Sequence, residues 1–316
     1  MSTILVTGAS GFVGSQTVPA LIDAGHRVVA LVRSQTSGEV VLGRLSADRR
    51  DAVEVRIGDV TRHDSLPPAL AGIDAVVHLV AIPRDLRGGA DLRLINTEGT
   101  RAVIVAMQAA GVQRLVHMGA MGVADDPDLH YASSKARAEQ LVRDSGLAWS
   151  ILKPSLQFGP GDGFFNIIAD LVRLSPGIVP VPGDGRSRFQ PIHVADVARV
   201  VAATIGDDAT VSGSFDLGGP RYWTYREITQ EVLAALDKRR AILPMPVPLI
   251  SLVAGVSEAI RLPFPVATDQ LRQLKLDNIG PLDVIPSRFG FDPRPMEGAL
   301  TYLRHKRREQ PVGQPA

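Results

Sequence analysis

The sequence predicts an α/β protein, a doubly wound parallel sheet with helices on both faces, joined to a smaller C-terminal domain on the substrate side. Three observations point there. Apolar strand-like runs alternate with helical stretches through the first half of the chain, a glycine-rich turn directly follows the first of those runs, and 316 residues exceed what one hydrophobic core usually organises.

Along the chain, Thr3 to Val6 reads as the first strand, followed by Arg27 to Val32, Val53 to Ile57, Ala75 to Val80, Arg114 to His117 and Trp149 to Leu152. Helical segments with recognisable ends lie between them. One runs from about Ala90 to Ala110 and stops at Gly111, where a left-handed cap belongs. Pro19 falls inside the first helix and should remove a hydrogen bond or kink it. After Pro154 the pattern turns irregular and rich in Gly and Pro, in Phe158-Gly159-Pro160-Gly161-Asp162-Gly163 and again from Val179 to Gly185. Residues 1–154 are therefore assigned to the sheet domain and 155–303 to loops and short elements of the substrate-side domain. Ala195 to Thr204 and Phe215-Asp216-Leu217 regain the sheet pattern, so elements at about 190–220 return to the first domain. The tail 304–316 is basic, then contains Gln, Pro and Gly, and is expected to fray in solvent.

Composition narrows the chemistry. Lys plus Arg number 34 against 33 Asp plus Glu, which leaves no electrostatic footprint for nucleic acid. The absence of cysteine removes disulfides, thiolate nucleophiles, iron–sulfur clusters and cysteine-type zinc, and is compatible with a cytoplasmic location. No histidine falls at metal-ligand spacing with a carboxylate, so no metal is expected. No signal-like segment precedes the first strand. Pro244, Pro246 and Pro248 interrupt the longest uncharged stretch, which leaves it too short to span a membrane.

Thr7-Gly8-Ala9-Ser10-Gly11-Phe12-Val13-Gly14 follows the first strand and opens the first helix. Glycines three apart let the backbone turn tightly, approach a pyrophosphate without Cβ clashes, and aim helix N-terminal N–H groups at its charge. Inside a strand–helix–strand unit, the triplet marks a Rossmann dinucleotide site built from Gly8, Ser10, Gly11, Phe12, Val13 and Gly14. An NAD-preferring site usually ends its second strand with an acidic residue. Here Val32-Arg33-Ser34 stands in that place, and no carboxylate occurs between Asp23 and Glu39. A guanidinium at Arg33, with Ser34 beside it, suits a 2′-phosphate, so NADP(H) is favoured and NAD(H) is the second choice. The other reading of Arg33 is a solvated strand end. Asp59, before Val60, either contacts adenine or caps the following turn. Ala81 and Ile82 follow the fourth strand, where small residues let the chain pass close to the cofactor.

Tyr131-Ala132-Ser133-Ser134-Lys135 begins a helix that continues through Leu141. Residues four apart share a helix face, so the ammonium of Lys135 is expected beside the phenol of Tyr131, where it would favour the ionised form and make Tyr131 an acid or base nearer neutrality. The alternative is a pair of ordinary surface residues.

Together with Asn96, Lys153-Pro154-Ser155 and His193-Val194-Ala195-Asp196-Val197, these motifs resemble the extended and atypical short-chain dehydrogenase/reductases, the epimerase/dehydratase-like group, over nearly the whole chain up to about residue 300. Within that group the chain looks most like the branch containing the nucleotide-binding accessory subunit of respiratory complex I and its bacterial relatives. The likeness rests on Arg114 to Met118, on Tyr131 to Glu139, on Phe158 to Asp162 followed by Phe165-Asn166, and on Thr268-Asp269-Gln270-Leu271. It implies that Tyr131 gives or takes the proton, that Lys135 holds the nicotinamide ribose and depresses the tyrosine pKa, that Asp59 touches adenine, and that Pro154 and Ser155 line the nicotinamide end. Asn96 and His193 carry over too, although a buried, satisfied polar residue explains either as well. One departure matters. Dehydrogenases of the group place a Ser or Thr after the fifth strand to bond the substrate carbonyl, and Gly119-Ala120-Met121-Gly122 stands here. Losing such a donor costs roughly two to three powers of ten in rate. His130 is the candidate substitute.

Val247 to Val256 is apolar on nearly all faces of the helix it would form, so it is buried in the small domain, covers an apolar or quinone-like substrate, or makes peripheral membrane contact. Two functions follow. One is an oxidoreductase moving hydride between NADP(H) and a small-molecule carbonyl or alcohol, favoured by the intact Tyr–Lys pair. The other is a nucleotide-binding scaffold or assembly protein without turnover, favoured by Ala120.

Overall fold

A computed structural model describes residues 1–84, 87–175, 177–246 and 277–305. Its central sheet contains β1 (Thr3–Thr7), β2 (Arg27–Val32), β3 (Val53–Ile57), β4 (Ala75–His78), β5 (Arg114–Met118), β6 (Ala148–Pro154) and β7 (Gly213–Leu217). All pairs are parallel, in the order β7-β6-β5-β4-β1-β2-β3. The chain winds outward from β1 to β3, then crosses back to β4 on the other side of β1. That reversal opens a crevice at the carboxyl ends of β1 and β4, the place where open α/β sheets bind ligands.

The main helices are α1 (Gly14–Asp23), α2 (Gln35–Gly43), α3 (Gly99–Ala110), α4 (His130–Arg143), α5 (Phe164–Leu174), α6 (Val194–Ile205), α7 (Tyr225–Ala235) and α8 (Val284–Phe289). Side chains alternate along each strand, so Ile4 and Val6 join one core while Leu5 joins the other. The first core is closed by Val18 and Leu21 of α1, Val197 and Val201 of α6, and Ile285 of α8. The second is closed by Val103 and Met107 of α3 and Val142 of α4. A third core lies beyond the sheet, where Phe165 and Ile168 of α5 meet Ile228 and Val232 of α7 and Met296, Leu300 and Leu303.

Several expectations change in detail. Pro19 is accommodated within α1, which runs on to Asp23. The segment from Ala90 is three pieces, a turn at Ala90–Leu92, a π-helical stretch at Arg93–Glu98, and α3, which ends at Gly111 in the left-handed conformation (φ 72°). α6 and β7 do return to the sheet layers, and α8, which the sequence pattern did not reveal, joins them. Arg304, expected in a frayed tail, ends a 3₁₀ turn (Ala299–Arg304) and its Nε donates to the Ala235 carbonyl at 2.8 Å. Val247 to Val256, Thr268 to Leu271 and residues 306–316 lie outside the described residues.

Candidate functional site

The glycine turn occupies the crevice. Gly8 has φ 73°, and the Gly11 N–H donates to its carbonyl at 3.0 Å. A Cβ at Gly14 would lie 2.3 Å from the Gly8 oxygen, so only glycine lets α1 start this close to β1. A Cβ at Gly8 would press on Leu79 and Val80 at 3.2 Å, which packs the turn against the exit of β4. Gly11 itself is exposed, and α1 starts at Gly14 after Val13, with no side-chain cap and no acidic residue in its first turn. Free amide groups at a helix start, beside an exposed glycine, fit a pyrophosphate.

At the adenosine edge, Thr7 of β1 lies opposite Leu31 of β2, so the turn and Arg33 leave neighbouring strands at the same edge of the sheet. Arg33 is exposed. Ser34 is the cap of α2, its Oγ accepting from the Ser37 N–H at 3.2 Å. Asp59 does what the alternative reading foresaw, Oδ1 accepting from both the N–H and the hydroxyl of Thr61 at 2.8 Å. Val60 is buried in the second core against Gly99, which a Cβ would bring to 2.9 Å. Ala81 is exposed beside the crevice, and Ile82 is clamped by Asn96, whose Oδ1 accepts from its N–H at 2.9 Å and whose Nδ2 donates to its carbonyl at 3.1 Å. Asn96 Nδ2 also donates to Ser134 Oγ at 3.0 Å, tying the exit of β4 to α4.

At the other end, Lys135 is buried, and its Nζ donates to the Met118 carbonyl at the end of β5. Burial pulls the Lys135 amine down to about 8, against the opposing pull of Glu139. Tyr131 differs from the sequence expectation. Burial, with the Glu139 carboxylate adding to it, pushes its phenol up to about 12, and Lys135 is turned to Met118 instead of lowering it. Beneath them, His78 and His117 stack at 5.5 Å between ring centroids. His78 Nδ1 lies 2.7 Å from Thr7 Oγ1 and Nε2 3.1 Å from Thr100 Oγ1. Thr100 spends its proton on the Asn96 carbonyl, so Nε2 carries the imidazole hydrogen and Nδ1 accepts. Burial and the Lys135 charge pull His78 down to about 3, so it stays neutral.

Other assigned residues are already engaged by the protein. Ser155 Oγ donates to the Asn278 carbonyl at 3.0 Å and accepts from the Gln190 N–H at 3.1 Å, while Pro154 is buried in β6. His193 caps α6, Nδ1 accepting from the Ala195 N–H at 3.1 Å, and Asp196 pairs with Arg294 at 3.3 Å. His130 lies against Gly89 in a cleft between residues 88–97 and α4, whereas Ala120 lines a different cleft with Glu139 and Arg143. The N–H groups of Gly119, Ala120 and Met121 are bound to Leu152 O at 2.8 Å, Glu139 Oε1 at 3.3 Å and Pro154 O at 3.1 Å. Sequence reasoning missed Glu139, which is buried and paired with Arg143 at 3.0 Å. Its position four residues after Lys135 was the available signal.

A family profile described as NAD(P)H-binding matches residues 8–208, more than half of the chain, and opens on the first glycine of the turn. The chain belongs to this NAD(P)H-binding family. Relatives of this NAD(P)H-binding protein include the mitochondrial NADH dehydrogenase (ubiquinone) 1 alpha subcomplex subunit 9 of Arabidopsis thaliana, 25% identical over 280 residues, 88% of this chain and 68% of that one. The ceramide reductase of Caulobacter vibrioides is 28% identical over 302 residues, 91% of this chain and 90% of that one. The solved structure of Thermus thermophilus UDP-glucose 4-epimerase in complex with NAD shares the fold, with a TM-score of 0.71, 22% identity, and coverage of 97% of this chain and 99% of that one. The NAD(P)-binding Rossmann fold is thus of the epimerase/dehydratase and short-chain dehydrogenase/reductase type. No helix among the described residues is long and apolar enough to cross a membrane, and no three metal-ligating side chains converge among them.

Proposed function

We propose that the chain is an NADP(H)-dependent oxidoreductase that reduces the carbonyl of a small molecule in the cytoplasm, with Tyr131 as the proton donor. The observation that carries this reading is α4, which sets Tyr131 one helical turn from a buried Lys135 anchored at the end of β5. A bound nicotinamide supplies the hydride. Gly8, Ser10, Gly11, Phe12, Val13 and Gly14 hold the pyrophosphate, Arg33 the 2′-phosphate, and Pro154 and Ser155 border the nicotinamide end, with Ala81 along the path between. Lys135, charged at neutral pH, orients the ribose hydroxyls. Tyr131 Oη gives its proton to the carbonyl oxygen and recovers one from solvent. A phenol pushed up to about 12 is protonated near pH 7 and so has a proton to give, but it is a weaker acid than an ordinary tyrosine, which slows the transfer.

The second reading, a nucleotide-binding scaffold, is favoured by the loop after β5, where Ala120 brings no hydroxyl and the three amides are already bonded. Stopped-flow oxidation of bound NADPH against aldehydes, ketones and quinones separates the two. Tyr131→Phe is expected to lower turnover by roughly two to four powers of ten while leaving NADPH affinity unchanged. A wild type with no substrate-dependent oxidation, or a variant matching it, would leave the scaffold.

A further inference from the structure

Arg44 reaches back from the carboxyl end of α2 to the glycine turn. Its Nη1 donates to the Ser10 carbonyl at 2.8 Å and lies 3.5 Å from that of Gly11. Ser10 comes three residues after Thr7 and Arg33 two residues after Leu31, and Thr7 and Leu31 are register partners on adjacent strands. A guanidinium resting on Ser10 therefore stands at the edge from which Arg33 departs. Other arginines of this corner are neutralised or spent, Arg49 on Asp23 at 2.8 Å and Arg56 on Glu54 at 2.7 Å. Among the described residues, neither Arg33 nor Arg44 has a carboxylate partner. Two carbonyls engage Nη1 alone, so Nε and Nη2 of Arg44 keep their donors for something else.

We propose that Arg44 is the second cation of the 2′-phosphate site, so that the dianion is held between Arg33 on the exit of β2 and Arg44 braced on the glycine turn. The inference rests on the NADP(H) reading given above. The brace matters because a long side chain that is already held loses less conformational entropy when it binds. Arg33 supplies charge from the open side, and Arg44 supplies a fixed donor from the turn side. NADH, with a hydroxyl in place of the phosphate, offers Arg44 no charge to meet, so this residue would set the choice between the nucleotides and contribute little to the part they share.

Calorimetric titration of the whole chain with NADPH and with NADH tests it, using wild type, Arg33→Ala, Arg44→Ala and Arg44→Gln. The glutamine removes the charge with less loss of packing than alanine, and NADH binding by the same variant reports whether the turn has kept its shape. Arg44→Gln is expected to weaken NADPH roughly ten- to a hundredfold, as for one charged hydrogen-bonding partner, and to leave NADH within about twofold. Equal losses for both nucleotides would mean that Arg44 only props the turn and would overturn the inference while the NADP(H) reading stands. So would a wild-type preference for NADPH that Arg44→Gln leaves intact. A wild type that binds NADH as tightly as NADPH would remove the reading itself, and the inference with it.

Discussion

The two ends of the crevice are built on opposite plans. The glycine turn presents an exposed Gly11, a helix start without a side-chain cap and, among the described residues, two guanidinium groups with no carboxylate partner, Arg33 and Arg44. At the end proposed for the nicotinamide, the polar groups named above are already engaged: Ser155 by Asn278 and Gln190, Ala120 N–H by Glu139, Asn96 by Ile82 and Ser134. The first end offers backbone donors and positive charge. The second is prepared mainly to keep its own shape, and in the function proposed above its chemistry falls to Tyr131 and Lys135. Nucleotide binding is therefore the better-supported property of the molecule, and the proposed reaction rests on very few groups.

The largest effect that would break this contrast comes from Gly11→Val. The added Cβ sits 3.1 Å from the Gly8 carbonyl and puts a branched side chain where the turn must approach the pyrophosphate, so NADPH binding should fall by more than about a hundredfold. Circular dichroism of the same sample should show a folded protein. Micromolar binding in the variant would move the pyrophosphate elsewhere.

Ala120→Ser sharpens the contrast from the other side. If the substrate end is poor because it lacks a donor, a hydroxyl there should raise the rate on simple carbonyls by roughly two powers of ten. An unchanged rate would show that Glu139, by holding the Ala120 N–H, keeps the loop from presenting any group to substrate.

The smallest effect concerns the loop that borders the glycine turn. This loop, of Gly159 and Gly161, approaches Phe12 of the glycine turn, and it is held by Asp162, which accepts from the Phe165 N–H at 2.8 Å and from the Tyr302 hydroxyl. Burial pushes the Asp162 carboxyl up to about 6 from an ordinary value of 3.8. Between those two pH values the folded chain keeps a proton that the unfolded chain has released, so stability declines as pH rises through the window. The loss is at most about 3 kcal/mol, a few degrees in Tm. Asp162→Asn should flatten that decline between pH 4 and about 7 in thermal melts. A slope identical to wild type would mean the carboxyl titrates normally.

How much of this was legible follows from distance along the chain. The glycine turn, the strands and the Tyr–Lys spacing are local patterns, written within a few residues by backbone geometry and helix periodicity. Asn278 meets Ser155 across 123 positions, and Tyr302 meets Asp162 across 140, with nothing local to announce either. The reversed effect on Tyr131 was hidden for another reason. Spacing puts Lys135 on its face, but only the fold turns the amine toward Met118 and brings Glu139 close.

The return of the chain to its own sheet has a consequence for how the protein is made. β6 acquires its outer neighbour only when residues 213–217 exist, and α8 lays Ile285 into the core shared by Val6 and Leu152 later still. A nascent chain released as far as Pro154 carries an unpaired strand edge and an apolar face without its cover. At ribosomal speeds the missing pieces arrive roughly ten seconds afterwards. During that interval the half-built domain exposes the kind of edge and apolar face that aggregates, and a chain cut at residue 154 would keep both exposed.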